Sequence, residues 1–187
     1  MWRNLLFVLL YLPLHIDAQS DSSKTGIRYI RVTVKDSLPV LKTAISKQLN
    51  EWSNTQKKNP GSTKLLISST DRETAAVISR WLASKQKQDI YQVRLSVLVS
   101  KYIGETEKNL EQVFTKAARL NTILFFDEAD ALFGKRGATA EENNDQEKAI
   151  NYFIKQLEAC KGTVVIQCTG EDCGQRLAKA RLTRISG

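Results

Sequence analysis

Residues 122–136 read TILFFDEADALFGKR, and the order of residue types in this stretch decides the fold. Ile123, Leu124, Phe125 and Phe126 form an unbroken apolar run, without the alternation of a strand wetted on one side. Such a run is expected of a strand covered on both faces, hence of a parallel sheet with helices above and below. Two adjacent carboxylates, Asp127 and Glu128, stand where the run ends. There Asp127 can hold a magnesium ion through water, and Glu128 can orient or deprotonate an attacking water. Carboxylates that merely terminate a strand fit the same residues, so the neighbouring sequence has to separate the two readings.

Outward from this strand the chain alternates strand and helix. Residues 64–69 (KLLISS), 90–95 and 163–169 read as further strands. Between them, helical spacing of apolar residues predicts helices over 73–84 (Ile78, Trp81, Leu82), 106–120 (Leu110, Val113, Phe114, Ala117) and 147–160 (Ile150, Phe153, Ile154, Leu157). This alternation implies a parallel α/β sheet with helices on both faces, whose chemistry gathers at the carboxyl ends of the strands. On the amino-terminal side, residues 26–34 (GIRYIRVTV) favour a strand. A helix follows from Leu38, with Pro39 in its first turn and Leu41, Ala44, Ile45, Leu49 and Trp52 on one face. Residues 54–63 (NTQKKNPGST) read as a polar surface connection.

Composition bounds the function. The chain has 187 residues, 42% hydrophobic and 26% charged, as one globular domain does. At that size about 70% of the unfolded surface can be buried without metal or disulfide staples. The single histidine, His15, lies in a segment with the pattern of a secretory signal peptide: Arg3, an apolar run to Leu14, then a small-residue site after Ala18. Cleavage there makes the protein secreted or periplasmic; an uncleaved amino terminus makes it cytoplasmic. The domain boundaries expected are 1–18 for the signal peptide, 19–60 for a strand-helix extension and linker, and 61–187 for the main domain. Without His15 no Ser/His/Asp or Cys/His catalysis in the usual form remains, and three scattered cysteines offer no standard zinc spacing. Cys168 and Cys173 are close enough in sequence to close a small loop, leaving Cys160 over; three buried small hydrophobes fit the count equally. The formal charge of +8 includes a basic run at Arg176, Lys179, Arg181 and Arg184, which reads as a solvated face or as a surface for nucleic acid or anionic lipid.

Four apolar residues followed by Asp-Glu match the Walker B pattern. Residues 100–110 (SKYIGETEKNL) stand at the right distance before it, and residues 151–158 (NYFIKQLE) and the strand 163–169 follow it. Together they closely resemble the nucleotide-binding domain of AAA+ ATPases, over about residues 64–185 and most strongly over 99–136. The resemblance implies a P-loop NTPase-like three-layer αβα fold with a parallel sheet. It also implies ATP and magnesium as cofactors, with hydrolysis coupled to protein remodelling in a ring oligomer acting on a polypeptide substrate. Asp127 and Glu128 become the catalytic pair. Lys101, Tyr102, Ile103 and Gly104 take the position of the pore loop, whose aromatic residue grips the threaded polypeptide.

The sequence departs from that pattern at several positions. The family's phosphate loop is rich in glycine and carries a lysine, whereas here residues 67–74 read ISSTDRET. The nucleotide-binding positions therefore hold Ser69, Asp71, Arg72, Glu73 and Thr74. Thr74 retains the hydroxyl expected to join Asp127 on magnesium if nucleotide binds, and Arg72 partly replaces the missing positive charge. The sensor position holds Thr169 followed by Gly170, where the family often has Asn. Thr183 replaces the first of a pair of arginines, leaving Arg184 as the candidate arginine finger. After Gly187 the family pattern continues into another strand and a helical lid. The expectation is an AAA+-like domain with impaired nucleotide binding, a pseudo-ATPase acting through protein partners. An active magnesium-dependent ATPase in a homo- or hetero-oligomeric ring is the first alternative, and a basic-surface binder of nucleic acid or anionic lipid is the second.

Overall fold

The computed structural model describes residues 25–32, 43–58, 62–69, 71–134 and 139–186. The segment read as a signal peptide, Pro39 and Leu41 lie outside them. Six strands form one sheet in the order β1-β3-β4-β5-β2-β6. They are β1 (Ile27–Ile30), β2 (Lys64–Ser68), β3 (Ile90–Arg94), β4 (Ile123–Asp127), β5 (Val164–Cys168) and β6 (Thr183–Ser186). All neighbours run parallel except β1, which lies antiparallel on the edge strand β3 with Ile27 opposite Val93 and Ile30 opposite Ile90. The amino-terminal strand therefore belongs to this sheet. Gly26, just before it, needs to be glycine: its φ is +63°, and a Cβ there would sit 2.5 Å from Cβ of Val97.

The helices are α1 (Thr43–Lys58), α2 (Arg72–Gln86), α3 (Leu95–Leu98), α4 (Glu105–Leu120), α5 (Asp130–Phe133), α6 (Ala140–Ala159) and α7 (Glu171–Arg176), with a 3₁₀ turn at Leu177–Lys179. Because side chains alternate across a strand, the sheet feeds two cores. Leu124, Phe126, Val164 and Ile166 point to one side, where Leu110, Val113 and Phe114 of α4 and Ile150, Phe153 and Leu157 of α6 cover them. Ile123, Phe125, Val165, Leu65 and Ile67 point to the other, under Ile78 and Leu82 of α2 and Ile45 and Leu49 of α1. The result is the three-layer αβα fold expected. Phe153 anchors the first core, with ring centroids 4.9 Å from Phe126, 5.5 Å from Phe133 and 5.9 Å from Phe114.

Three boundaries differ from the sequence reading. Helix α6 starts at Ala140, seven residues before the predicted Glu147, because Thr139 and Glu142 form a reciprocal capping box ahead of a polar, aperiodic first half. Helix α1 runs to Lys58, into the stretch read as a surface connection. Thr183–Ser186 forms a strand in the segment matched to the family's arginine pair; Ile185 is buried and pairs in register with Ile67.

Candidate functional site

The carboxyl ends of β2, β5 and β4 meet at one edge of the sheet. Asp127, the last residue of β4, is 9% exposed. One of its oxygens accepts the N–H of Glu128 at 2.9 Å, and the other accepts Nε2 of Gln92 at 3.2 Å. Glu128 sits in the left-handed region at φ +57°. For a residue with a Cβ that conformation costs about 1–2 kcal/mol, and it turns the side chain away from the strand. Its N–H also reaches Oε1 of Gln167 at 3.2 Å, and its carboxylate accepts the hydroxyl of Ser96.

Gln167 joins this end to the loop after β2. It is 1% exposed, the one long polar side chain of β5, and its Nε2 donates to the carbonyl of Ser69 at 3.1 Å. The N–H of Ser69 donates to the carbonyl of Cys168, so the phosphate-loop position is tied to β5 twice. Sequence reasoning passed over Gln167. The available signal was a glutamine in the middle of an otherwise apolar strand, since a buried amide needs partners on both its ends.

At the phosphate-loop position the chain satisfies its own groups. Asp71 is the N-cap of α2: Oδ1 accepts the N–H of Glu73 at 2.9 Å, and Oδ2 accepts the hydroxyl of Thr74 at 2.7 Å. The N–H of Asp71 in turn donates to Oγ of Ser69 at 3.1 Å. Glu73 is exposed, Thr74 is buried, and Arg72 opens the helix. The structure thus brings Ser69, Asp71, Glu73 and Thr74 together around a carboxylate, at a helix end whose unpaired N–H groups favour negative charge.

Asp130, in the first turn of α5, was also missed. It accepts the N–H and the hydroxyl of Thr169 on Oδ2, at 2.7 and 2.8 Å, and the N–H of Gly170 on Oδ1 at 2.8 Å. A Cβ on Gly170 would lie 3.0 Å from that Oδ1, so a glycine lets the carboxylate approach the backbone. Cys168, at the end of β5, is bonded as a disulfide to Cys173 in α7, and Cys160 is free.

Lys101, Tyr102, Ile103 and Gly104 form the turn between α3 and α4. Tyr102 is 75% exposed and Ile103 80% exposed, although both are large and apolar. The turn itself is ordered by the N–H of Tyr102 on Oγ of Ser100, by the hydroxyl of Ser100 on Glu105, and by Gly104 at φ +77°. Arg184 is exposed in β6 and its guanidinium lies over Gly174 of α7 in the same chain. In the basic run, Arg176 pairs with Glu147. A groove of about 530 Å³ opens at the opposite end of the sheet between Phe114, Thr122, Gln156 and Lys161.

A sheet of five parallel strands with helices on both faces, and acidic residues at the end of its buried central strand, defines a P-loop NTPase-like nucleotide-binding domain. Residues 75–186 match the ATPase family associated with various cellular activities (AAA), and the chain belongs to that family. It is similar to the protein CdcH of Halobacterium salinarum, 35% identical over 83 residues, or 44% of this chain and 11% of the relative. It is also similar to the ribosome biogenesis ATPase RIX7 of Saccharomyces cerevisiae, 29% identical over 97 residues, or 50% of this chain and 11% of the relative. The cell division cycle protein 48 homolog of Archaeoglobus fulgidus is 29% identical over 97 residues, or 50% of this chain and 13% of that protein. The chain therefore spans about a tenth of the length of these relatives.

Proposed function

We propose that this AAA-family domain acts as a pseudo-ATPase: a protein-interaction module that binds polypeptide, in a ring oligomer, with impaired nucleotide binding. The observation that carries the reading is the carboxylate of Asp71 seated on the first turn of α2. In a phosphate loop that helix end receives the phosphates, cradled by glycine N–H groups and a lysine. ATP with magnesium does not fit the residues present. The helix N–H that a phosphate would take is held by a carboxylate, and the Thr74 hydroxyl that would ligate magnesium donates to the same carboxylate. Charge adds to the misfit. A unit-charge pair at 4 Å is worth about 4 kcal/mol at an effective dielectric of 20, so Glu73 in the lysine position changes the balance by up to about 8 kcal/mol. That is about the whole free energy of micromolar binding.

The binding surface in this reading is the turn of Lys101, Tyr102, Ile103 and Gly104. A large apolar pair held out in water by an ordered turn favours contact with a partner. Its test is the fluorescence anisotropy of a labelled, permanently unfolded polypeptide titrated with the chain in the absence of nucleotide. Burying one such side chain is worth about 2 kcal/mol, so Tyr102→Ala is expected to weaken binding by about 30-fold. Equal affinity for wild type and Tyr102→Ala would remove this surface from the account. Export after cleavage at Ala18 belongs to the same proposal. Among the described residues no helix is long and apolar enough to cross a membrane.

The active-ATPase reading draws on Asp127 at the mouth of a buried strand and on Glu128 held in a costly backbone conformation beside it, as groups with chemical roles often are. Hydrolysis that depends on magnesium and is lost in Glu128→Gln would favour it.

A further inference from the structure

Two sulfurs and a carboxylate converge beside the sensor position, next to the end of β2. Cys168 ends β5, Cys173 lies in the first turn of α7, and Asp130 reaches them from α5. One ligand atom from each lies within 4.8 Å of the others, and among the described residues this is the cluster of three metal-ligating side chains. Both cysteines are buried, at 0% and 1% exposure, while Asp130 is part-exposed and gives the cluster a path to solvent. Their Cα atoms are 6.1 Å apart, a separation that a disulfide spans. Two thiolates on a tetrahedral zinc ion, each about 2.3 Å from the metal, stand about 3.8 Å apart, which rotation about the side chains can supply without moving the strand. Oδ2 of Asp130 already accepts two hydrogen bonds, whereas Oδ1 accepts one and keeps a lone pair for a metal.

We propose that Cys168, Cys173 and Asp130 form a redox-gated site for a thiophilic divalent cation of the zinc type. With the disulfide formed the site is closed. A dithiol reductant transfers two electrons and two protons to the disulfide, giving two thiols and the oxidised, cyclic form of the reductant. Zinc then displaces both thiol protons and is held by two thiolates, one carboxylate oxygen and a water entering beside Asp130. Asp130 also holds Thr169 and Gly170, so the state of the cysteines sets what positions the turn after β5. This inference does not depend on whether nucleotide binds.

The test is a titration of the full chain with cobalt(II), then zinc(II), before and after reduction by a dithiol that is removed anaerobically. The reduced chain is expected to take up about one ion, with the near-ultraviolet thiolate-to-cobalt charge-transfer band that reports sulfur ligands, and zinc displaces the cobalt. The oxidised chain takes up none. Cys160→Ser keeps the band, Cys173→Ser loses it, and Asp130→Asn keeps a weakened band with affinity lower by about tenfold or more. A reduced wild-type chain without a sulfur-to-cobalt band overturns the proposal, as does a band that disappears with Cys160→Ser. If Cys173→Ser fails to fold, the Cys160→Ser and Asp130→Asn chains decide the matter.

Discussion

Replacing Asp71 by alanine removes two hydrogen bonds at the start of α2: the one from the N–H of Glu73 at 2.9 Å and the one from the hydroxyl of Thr74 at 2.7 Å. Loss of an N-cap costs about 1 kcal/mol, with a range of about 0.5–2. The Thr74 hydroxyl belongs to a residue only 8% exposed, so leaving it without its acceptor adds about 1 kcal/mol or more. The expected total is about 2–3 kcal/mol. For a chain of this size each kcal/mol moves the melting temperature by about 2–4 °C, so Asp71→Ala should melt about 4–12 °C lower. Asp71→Ser keeps a capping oxygen and should lose less than about half of that. Differential scanning calorimetry of the three proteins reads the effect. An Asp71→Ala protein melting within about 1 °C of wild type would refute the reasoning, because the carboxylate would then not be holding the helix end.

Other outcomes follow from the same structure. Magnesium-dependent ATP hydrolysis, followed by phosphate release, is expected at background for both wild type and Glu128→Gln; a rate in the wild type that Glu128→Gln abolishes would establish the active enzyme. Phe153→Ala, which empties the centre of a four-ring cluster, is expected to cost about 3–5 kcal/mol in chemical denaturation. Tyr29 titrates above the ordinary tyrosine value, through burial first and then through its hydrogen bond and proximity to the Asp89 carboxylate. Its folded form thus holds the proton more tightly than the unfolded chain. The stability it adds is complete below about pH 10 and is lost as pH rises through the folded value. Tyr29→Phe should flatten that part of the alkaline stability profile.

The layers of the fold were legible because the physics that builds them is local. Residues 123–126 are apolar throughout since their strand is covered on both faces, and α4 shows Leu110, Val113, Phe114 and Ala117 at helical spacing because one stripe faces the core. The first half of α6 carries no such stripe, only Thr139 and Glu142 three residues apart, and that capping box was the sole sign of where the helix begins. The placement of β1 on β3 was not legible, since one strand's sequence does not say which edge it joins.

At the site, Asp127, Glu128 and the altered loop after β2 could be read from residue order alone. Their connection could not. Gln167 bridges Ser69 and Glu128 from a third strand, and Asp130 reaches Thr169 across about forty positions, so both links exist only once the sheet has formed. The substitution of Asp71 into the helix cap was visible as a letter. Its consequence, a carboxylate already hydrogen-bonded to the N–H and hydroxyl of the loop, required the geometry.

The central claim is that this loop no longer takes phosphate, and calorimetric titration of the chain with ATP and with ADP in magnesium tests it most directly. The account predicts no saturable heat up to millimolar nucleotide. Saturable binding at micromolar concentration would contradict it, and would mean that Arg72, Thr74 and the backbone displace Asp71 to rebuild a phosphate site.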